Sequence, residues 1–175
     1  MVEEASRRLG RLDVLVNNAG GFSHPTYPAN DDWRAPLELN LGSVMEAIEA
    51  ALPRLAEAQG CVVNIASSAG LGTEPYTGVE YAVAKAGVVR LTTALGTVDG
   101  VRVNCICPHT VATEAVLRAL ETRPIDQIAP PPATVLSIEE VCAAVLRVIE
   151  DDSLAGRVLL LVGGEAPQFL SPRGG

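Results

Sequence analysis

Tyr81 and Lys85 stand four residues apart in the segment Tyr81-Ala82-Val83-Ala84-Lys85. On a helix that spacing puts both side chains on one face. A free phenol titrates near 10, too high for a base at neutral pH. A cation one helical turn away favours the phenolate and lowers that value, so the pair can give and take a proton. Lys85 is the only lysine beside 12 arginines. An ammonium is a compact point charge, whereas a guanidinium is a planar fork that does not deprotonate, so the one position that keeps lysine is a candidate for chemistry. With three tyrosines in the 175 residues, a single lysine falls four after a tyrosine by chance about 2% of the time.

The elements that must hold this pair can be read from the apolar pattern. Four short β-branched runs predict buried strands: Leu12–Asn17, Cys61–Ala66, Val101–Ile106 and Arg157–Val162. Between them, helical periodicity covers residues 2–9, Asp31–Ala58 (starting or bending at Pro36), Glu80–Leu95 and Thr113–Leu120. Ser137-x-x-Glu140 is a capping box that opens a last helix, to Ile149. Loops fall at 22–30, 67–79 and 121–136, where Pro, Gly, Ser and Thr collect. Alternating strands and helices mean βαβ units: an α/β, Rossmann-like doubly wound parallel sheet with helices on both faces. No repeat or linker divides the chain, so one domain is expected.

In open parallel sheets the ligand crevice lies beyond the carboxyl ends of the strands. The residues just after the first three strands are Asn18-Ala19-Gly20, Ser67-Ser68, and Pro108-His109-Thr110 with Val111 and Thr113 beyond. They are expected to line one edge together with Tyr81 and Lys85.

Composition narrows the partners. A net charge of −8 and a pI of about 4.7 repel phosphate backbones and anionic membrane surfaces alike, so neither nucleic acid nor membrane is an expected partner. No apolar run approaches the roughly 18 residues of a membrane span, and the charged N-terminal stretch is not a signal peptide. Cys61, Cys105, Cys107 and Cys142 do not form a disulfide framework. They read as small buried hydrophobes in a reducing compartment, which points to the cytoplasm. Cys105-x-Cys107-x-His109 has alternate-residue spacing, but strand cysteines there belong to core packing, and no metal site is expected.

These residues occur in an order that resembles the short-chain dehydrogenase/reductase family. The matching elements are Asp13-Val14-Leu15-Val16-Asn17-Asn18-Ala19-Gly20, Asn40 in Leu39-Asn40-Leu41, and Val63-Asn64-Ile65-Ala66-Ser67-Ser68. They continue with Tyr81-Ala82-Val83-Ala84-Lys85-Ala86-Gly87, Arg102-Val103-Asn104 with Pro108 and Thr113, and Gly163-Gly164. The resemblance implies an NAD- or NADP-dependent oxidoreductase acting on a carbonyl/alcohol pair. Tyr81 would be the acid/base. Lys85 would lower its pKa and hold the nicotinamide ribose. Ser67 would polarise the substrate oxygen, and Asn40 would help hold a water leading to Lys85. Asn18, Ala19, Gly20, Pro108, Val111 and Thr113 would complete the cofactor contacts. The serine is ambiguous: the strand end points to Ser67, the interval back from Tyr81 to Ser68. The strand end is the firmer anchor, because loop lengths vary.

Against the family pattern, His109 stands where glycine is usual, either as a tolerated loop residue or as a contact to the pocket. No G-x-G-x-x-G or Thr-Gly-rich counterpart is present, although a dinucleotide fold needs such a turn at the N-terminus of its first helix. The chain therefore reads as the C-terminal portion of the fold, truncated by about 60 residues. A truncated chain of this kind is either an enzyme whose activity needs the missing part or a non-catalytic remnant that serves as an interaction module. Substrate choice would lie in Thr113–Pro132, which is partly apolar. The small residues Ala82, Ala84 and Ala86 fit either core or a homo-oligomer interface, the latter as in many relatives.

Overall fold

The structure is a computed structural model and describes residues 2–21, 33–72, 78–122 and 135–170. Helix α1 (Val2–Leu9) leads into β1 (Val14–Asn17). A helical stretch follows, made of α2 (Arg34–Leu37), a π-helical segment (Glu38–Gly42) and α3 (Ser43–Ala58). Then come β2 (Cys61–Ile65), α4 (Val79–Leu95), β3 (Thr97–Val98) and β4 (Val101–Pro108). The order closes with α5 (Glu114–Thr122), α6 (Ile138–Glu150), β5 (Val158–Leu161) and β6 (Gln168–Leu170).

The sheet runs β1-β2-β4-β5-β6. The first four of these strands are parallel, with Val14 opposite Cys61, Cys61 opposite Arg102, and Cys105 opposite Val158. Alternation along the strands divides the core into two layers, as a period of two requires. Val62, Val103, Cys105, Cys107 and Val158 pack under α3 and α4 against Val44, Ile48, Leu55 and Val88. Val63, Ile106, Leu159 and Leu161 face the other way, onto Ala144 and Val148 of α6. Helices thus cover both faces of a parallel-dominated sheet, the expected α/β class.

The sheet has two strands more than the four expected. β3 folds back antiparallel on β4, with Val98 opposite Val101. The two-residue turn between them, Asp99-Gly100, has φ of 50° and 81°, the type I′ geometry that matches the twist of paired strands. β6 adds antiparallel to β5, and the guanidinium groups of Arg147 and Arg157 lie over the Phe169 ring, 5.3 and 5.5 Å from its centre.

Among the described residues, the buried side-chain atoms Ser6 Oγ and Arg157 Nε have no hydrogen-bond partner, whereas the buried asparagines are paired. Asn17 donates to Asn64 at 2.8 Å, Asn64 to Thr92 at 3.0 Å, and Thr92 to the Val88 carbonyl at 2.9 Å. This chain ties β1, β2 and α4 through the core without an orphaned donor. Arg102 reaches across to the end of α6 and donates to the carbonyls of Val148, Ile149, Asp151 and Leu154. A cation there satisfies carbonyls that the helix end leaves free. The capping box at Ser137 forms as its sequence demands: Ser137 Oγ accepts from the Glu140 amide, and the Glu140 carboxylate accepts from the Ser137 amide.

Candidate active site

The loops that follow β1, β2 and β4 leave from the same edge of the sheet, because those strands are parallel. That edge collects the residues the sequence singles out. Tyr81 and Lys85 lie on α4, and Lys85 is 4% exposed. The Lys85 ammonium donates to the Ile65 carbonyl at 2.8 Å, at the end of β2. It also sits over the Tyr81 ring, 5.6 Å from the centroid. The charge therefore faces the ring's π-surface.

Ser67 is the residue that lies close to Tyr81: its hydroxyl acts to lower the pKa of the phenol. Ser67 also caps the 3₁₀ turn Ser68–Gly70, with Oγ accepting from the Ala69 amide at 3.2 Å. Ser68 lies inside that turn. Cys107 is fully buried near the end of β4, close to Cys105 and Ser67. The Cys105 contact and burial hold the Cys107 thiol well above the usual thiol range, so it stays protonated.

The sequence leads one to expect a phenol lowered by the lysine. In the structure burial pushes Tyr81 above its ordinary value, and the nearby Ser67 hydroxyl acts in the other direction. Burial likewise pushes Lys85 below its ordinary value. Desolvation penalises the charged form of both groups.

Asn40 is 1% exposed in the π-helical segment. Its Oδ1 accepts from the Gly21 amide at 3.0 Å, and Nδ2 donates to the carbonyls of Gly21 and Pro36 at 3.1 and 3.0 Å. Both amide hydrogens are engaged, and Oδ1 keeps one acceptor position. The clasp holds the loop after β1 against the site. A side chain on Gly20 would place its Cβ 2.7 Å from Asn40 Oδ1 and 3.5 Å from Lys85 Nζ. Only glycine lets the loop pass between those two groups.

The remaining expected residues divide. Asn18, Ala19 and Gly20 are exposed on the loop after β1. Pro108 is buried at the end of β4, and Val111 pairs in an isolated bridge with Leu136. Thr113 Oγ1 accepts from the Val116 amide at 3.3 Å and so caps α5. His109 Nδ1 accepts from the Thr110 amide at 2.9 Å, which places the proton of the neutral ring on Nε2. Burial lowers its pKa. Cys105 and Cys107 face the core under α3 and α4, and no group of three metal-binding side chains forms among the described residues. Residues 22–32, 73–77 and 123–134 lie outside the described residues, and with them all of the loop expected at 22–30, the middle of the loop expected at 67–79 and the second half of Thr113–Pro132.

Sheet order and crossover helices define a Rossmann-like α/β class, and comparison with known proteins specifies the family. The family model described as short chain dehydrogenase matches residues 1–123. The chain belongs to the short-chain dehydrogenase/reductase family. It is 40% identical over 118 residues to the meso-2,3-butanediol dehydrogenase of Serratia marcescens, covering 65% of this chain and 47% of that protein. A short-chain dehydrogenase/reductase from Burkholderia xenovorans shares its fold with a TM-score of 0.80 at 30% identity, over 93% of this chain and 67% of that one. A structure of ElxO with NADP bound aligns with a TM-score of 0.83 at 24% identity, over 93% of this chain and 71% of that one. The chain spans about half the length of the first curated relatives it matches. Among the described residues no helix is long and apolar enough to cross a membrane.

Proposed function

We propose that this chain carries the substrate-facing half of an NAD(P)-dependent oxidoreductase that interconverts a carbonyl and an alcohol. The observation that carries the reading is the contact of Ser67 with Tyr81, with Lys85 over the ring. A hydroxyl just after a strand end lies near a phenol and an ammonium one turn apart on a helix, and proton transfer to a reacting oxygen needs such groups close together.

The residues fit the nicotinamide end of a dinucleotide. Gly20 leaves the loop after β1 bare beside Asn40 and Lys85, and a buried ammonium with hydrogens to spare is a donor to sugar hydroxyls. Asn18, Ala19, Pro108, Val111 and Thr113 would border the same ligand, and the choice between NAD and NADP would be made outside these residues. When bound, the cofactor supplies or accepts the hydride. The chain's own residues handle the proton. Tyr81, held protonated by burial, donates it to the carbonyl oxygen as charge develops there. Ser67 donates a second hydrogen bond to that oxygen. Lys85 stabilises the phenolate left behind, and the free lone pair of Asn40 helps hold a water near Lys85. Ala84 is fully buried in the core, so in a homo-oligomer only the exposed Ala86 and the half-buried Ala82 of this trio would meet a second copy.

A second reading has one observation in its favour. Val16, in the middle of β1, is 41% exposed, and β1 ends the sheet among the described residues. A bare strand edge suits an interaction module that pairs with another chain and turns nothing over.

The test is turnover. The purified chain is incubated with NADH or NADPH and small diketones or ketones, and oxidation is followed at 340 nm. Cofactor consumption that stops in Tyr81→Phe supports the enzyme reading. Cofactor loss that is the same in Tyr81→Phe, or none with any carbonyl, rejects it for this chain.

A further inference from the structure

Gly70 closes the 3₁₀ turn that begins at Ser67, and its amide donates to the Ser67 carbonyl at 3.0 Å. The Leu71 amide donates to the Ser68 carbonyl at 3.0 Å, and Ser67 Oγ accepts from Ala69. Ser67 to Leu71 is therefore one hydrogen-bonded unit: displace one end and the other moves.

That unit rests on α4 without any side chain between them. A Cβ built on Gly70 lies 2.6 Å from the Ala86 amide nitrogen, 2.6 Å from the Lys85 carbonyl carbon and 2.8 Å from the Lys85 carbonyl oxygen. All three are backbone atoms of a helix, so no rotamer change relieves the clash. The φ at Gly70 is not positive, so an alanine there is acceptable to the backbone and is opposed only by this contact. To reach the 3.4 Å at which ordinary contact begins, turn and helix must part by about 0.8 Å. The helix in question carries Tyr81 one turn before the contact, and the turn carries Ser67.

We infer that Gly70 is a positioning residue: by lacking a side chain it seats the Ser67 turn on the α4 backbone and so sets the distance between the Ser67 hydroxyl and Tyr81. The inference rests on the reading of Ser67 and Tyr81 as partners at the reacting oxygen. A misplacement of about 1 Å costs on the order of 100-fold in rate where reacting groups must be aligned, so Gly70→Ala lowers kcat by about 100-fold with the Michaelis constant for the cofactor unchanged.

A second readout does not need turnover. Carbon-13 at Cζ of tyrosine reports hydrogen bonding of the phenol, and Tyr81→Phe assigns the Tyr81 signal. Ser67→Ala shifts that signal, Gly70→Ala shifts it in the same direction, and the double variant matches Ser67→Ala alone. An unmoved signal in Gly70→Ala overturns the inference. So does a double variant whose shift is the sum of the two, because Gly70 would then act by a route other than Ser67. Absence of turnover with the expected Cζ shifts counts against the enzyme reading and leaves Gly70 in place. If Gly70→Ala does not fold, the crystal structure of the unsubstituted chain decides. Gly70 Cα in van der Waals contact with the backbone of Lys85 and Ala86 upholds the inference, and a gap wide enough for a methyl group refutes it.

Discussion

Lys85 holds the Ile65 carbonyl at 2.8 Å and lies over the Tyr81 ring at 5.6 Å from its centre. One ammonium thus links the end of β2, from which Ser67 departs, to the helix face that carries the phenol. The link is electrostatic, and its hydrogen bond to the carbonyl is directional.

Tyr81→Phe removes the proton that the proposed reaction moves and leaves the ring under Lys85. Turnover is expected to vanish while cofactor binding stays within about 2-fold. Lys85→Arg is expected to fail as well, because a planar guanidinium cannot keep both the Ile65 carbonyl and the position over the ring. Steady-state kinetics and calorimetric titration of both variants check this. Near-normal turnover in Tyr81→Phe would sink the assignment.

Gly20→Ala is expected to weaken nicotinamide binding and turnover by about 10-fold or more, since the new methyl would sit 2.7 Å from Asn40 Oδ1 and must push the loop out of the Asn40 clasp. Asn40→Ala frees the same loop from the other side. Parallel losses in the two variants, measured by cofactor titration, are the expected outcome; a fully active Gly20→Ala rules out the close approach.

His109 gives a pH dependence with a definite sign. Its folded-state pKa is lowered by burial, so the unfolded chain takes up the proton first as pH falls below 6.5. Stability is complete above that value and is lost as pH drops from 6.5 towards the folded-state pKa. Denaturant midpoints between pH 7.5 and 5 should fall in the unsubstituted protein and fall less in His109→Gln. Equal slopes in the two would show that His109 is not the group responsible.

Arg102 holds four carbonyls at and beyond the end of α6 while only 13% of its side chain is exposed. Arg102→Leu removes this donor from the Val148 and Ile149 carbonyls, while Asp151 keeps the Leu154 amide and Leu154 keeps Asn104 Nδ2, and a loss of about 2 kcal/mol in unfolding free energy is expected. Arg102→Lys recovers less than half, because one ammonium lacks the fork that reaches several carbonyls. Urea unfolding of the three proteins measures it.

The open β1 edge bears on the isolated chain. Val16 is 41% exposed there, and such edges recruit other chains. Self-association by sedimentation is expected, and Val16→Lys should reduce it. Cofactor affinity is expected in the millimolar range, about −4 kcal/mol, because contacts to one end of a dinucleotide must offset the immobilisation of all of it. A soluble monomer with micromolar affinity would contradict both.

The strands Leu12–Asn17, Cys61–Ala66, Val101–Ile106 and Arg157–Val162, the α4 helix and the Ser137 capping box were legible because each is a local pattern: β-branched runs, a period of 3.6, a cap and its partner three residues on. The β3–β4 hairpin was legible in principle. Val98-Asp99-Gly100-Val101 carries the Asp-Gly turn signal, but two-residue strands offer too little alternation to be seen beside a long helix. β6 has no such mark, since its pairing depends on β5 and on two arginines that reach Phe169 from elsewhere. By residue type and order alone, the sequence determined the α/β class, the family, and Tyr81, Lys85 and Ser67 or Ser68 as the residues to examine. Only the tertiary structure brought Ser67 rather than Ser68 to the phenol, turned Lys85 onto the ring face, engaged Asn40 with Gly21, and seated Gly70 on α4. Each of these depends on distances between segments far apart in the chain, and on burial, which decides whether a charge or its neutral form is favoured; neither is written in local spacing.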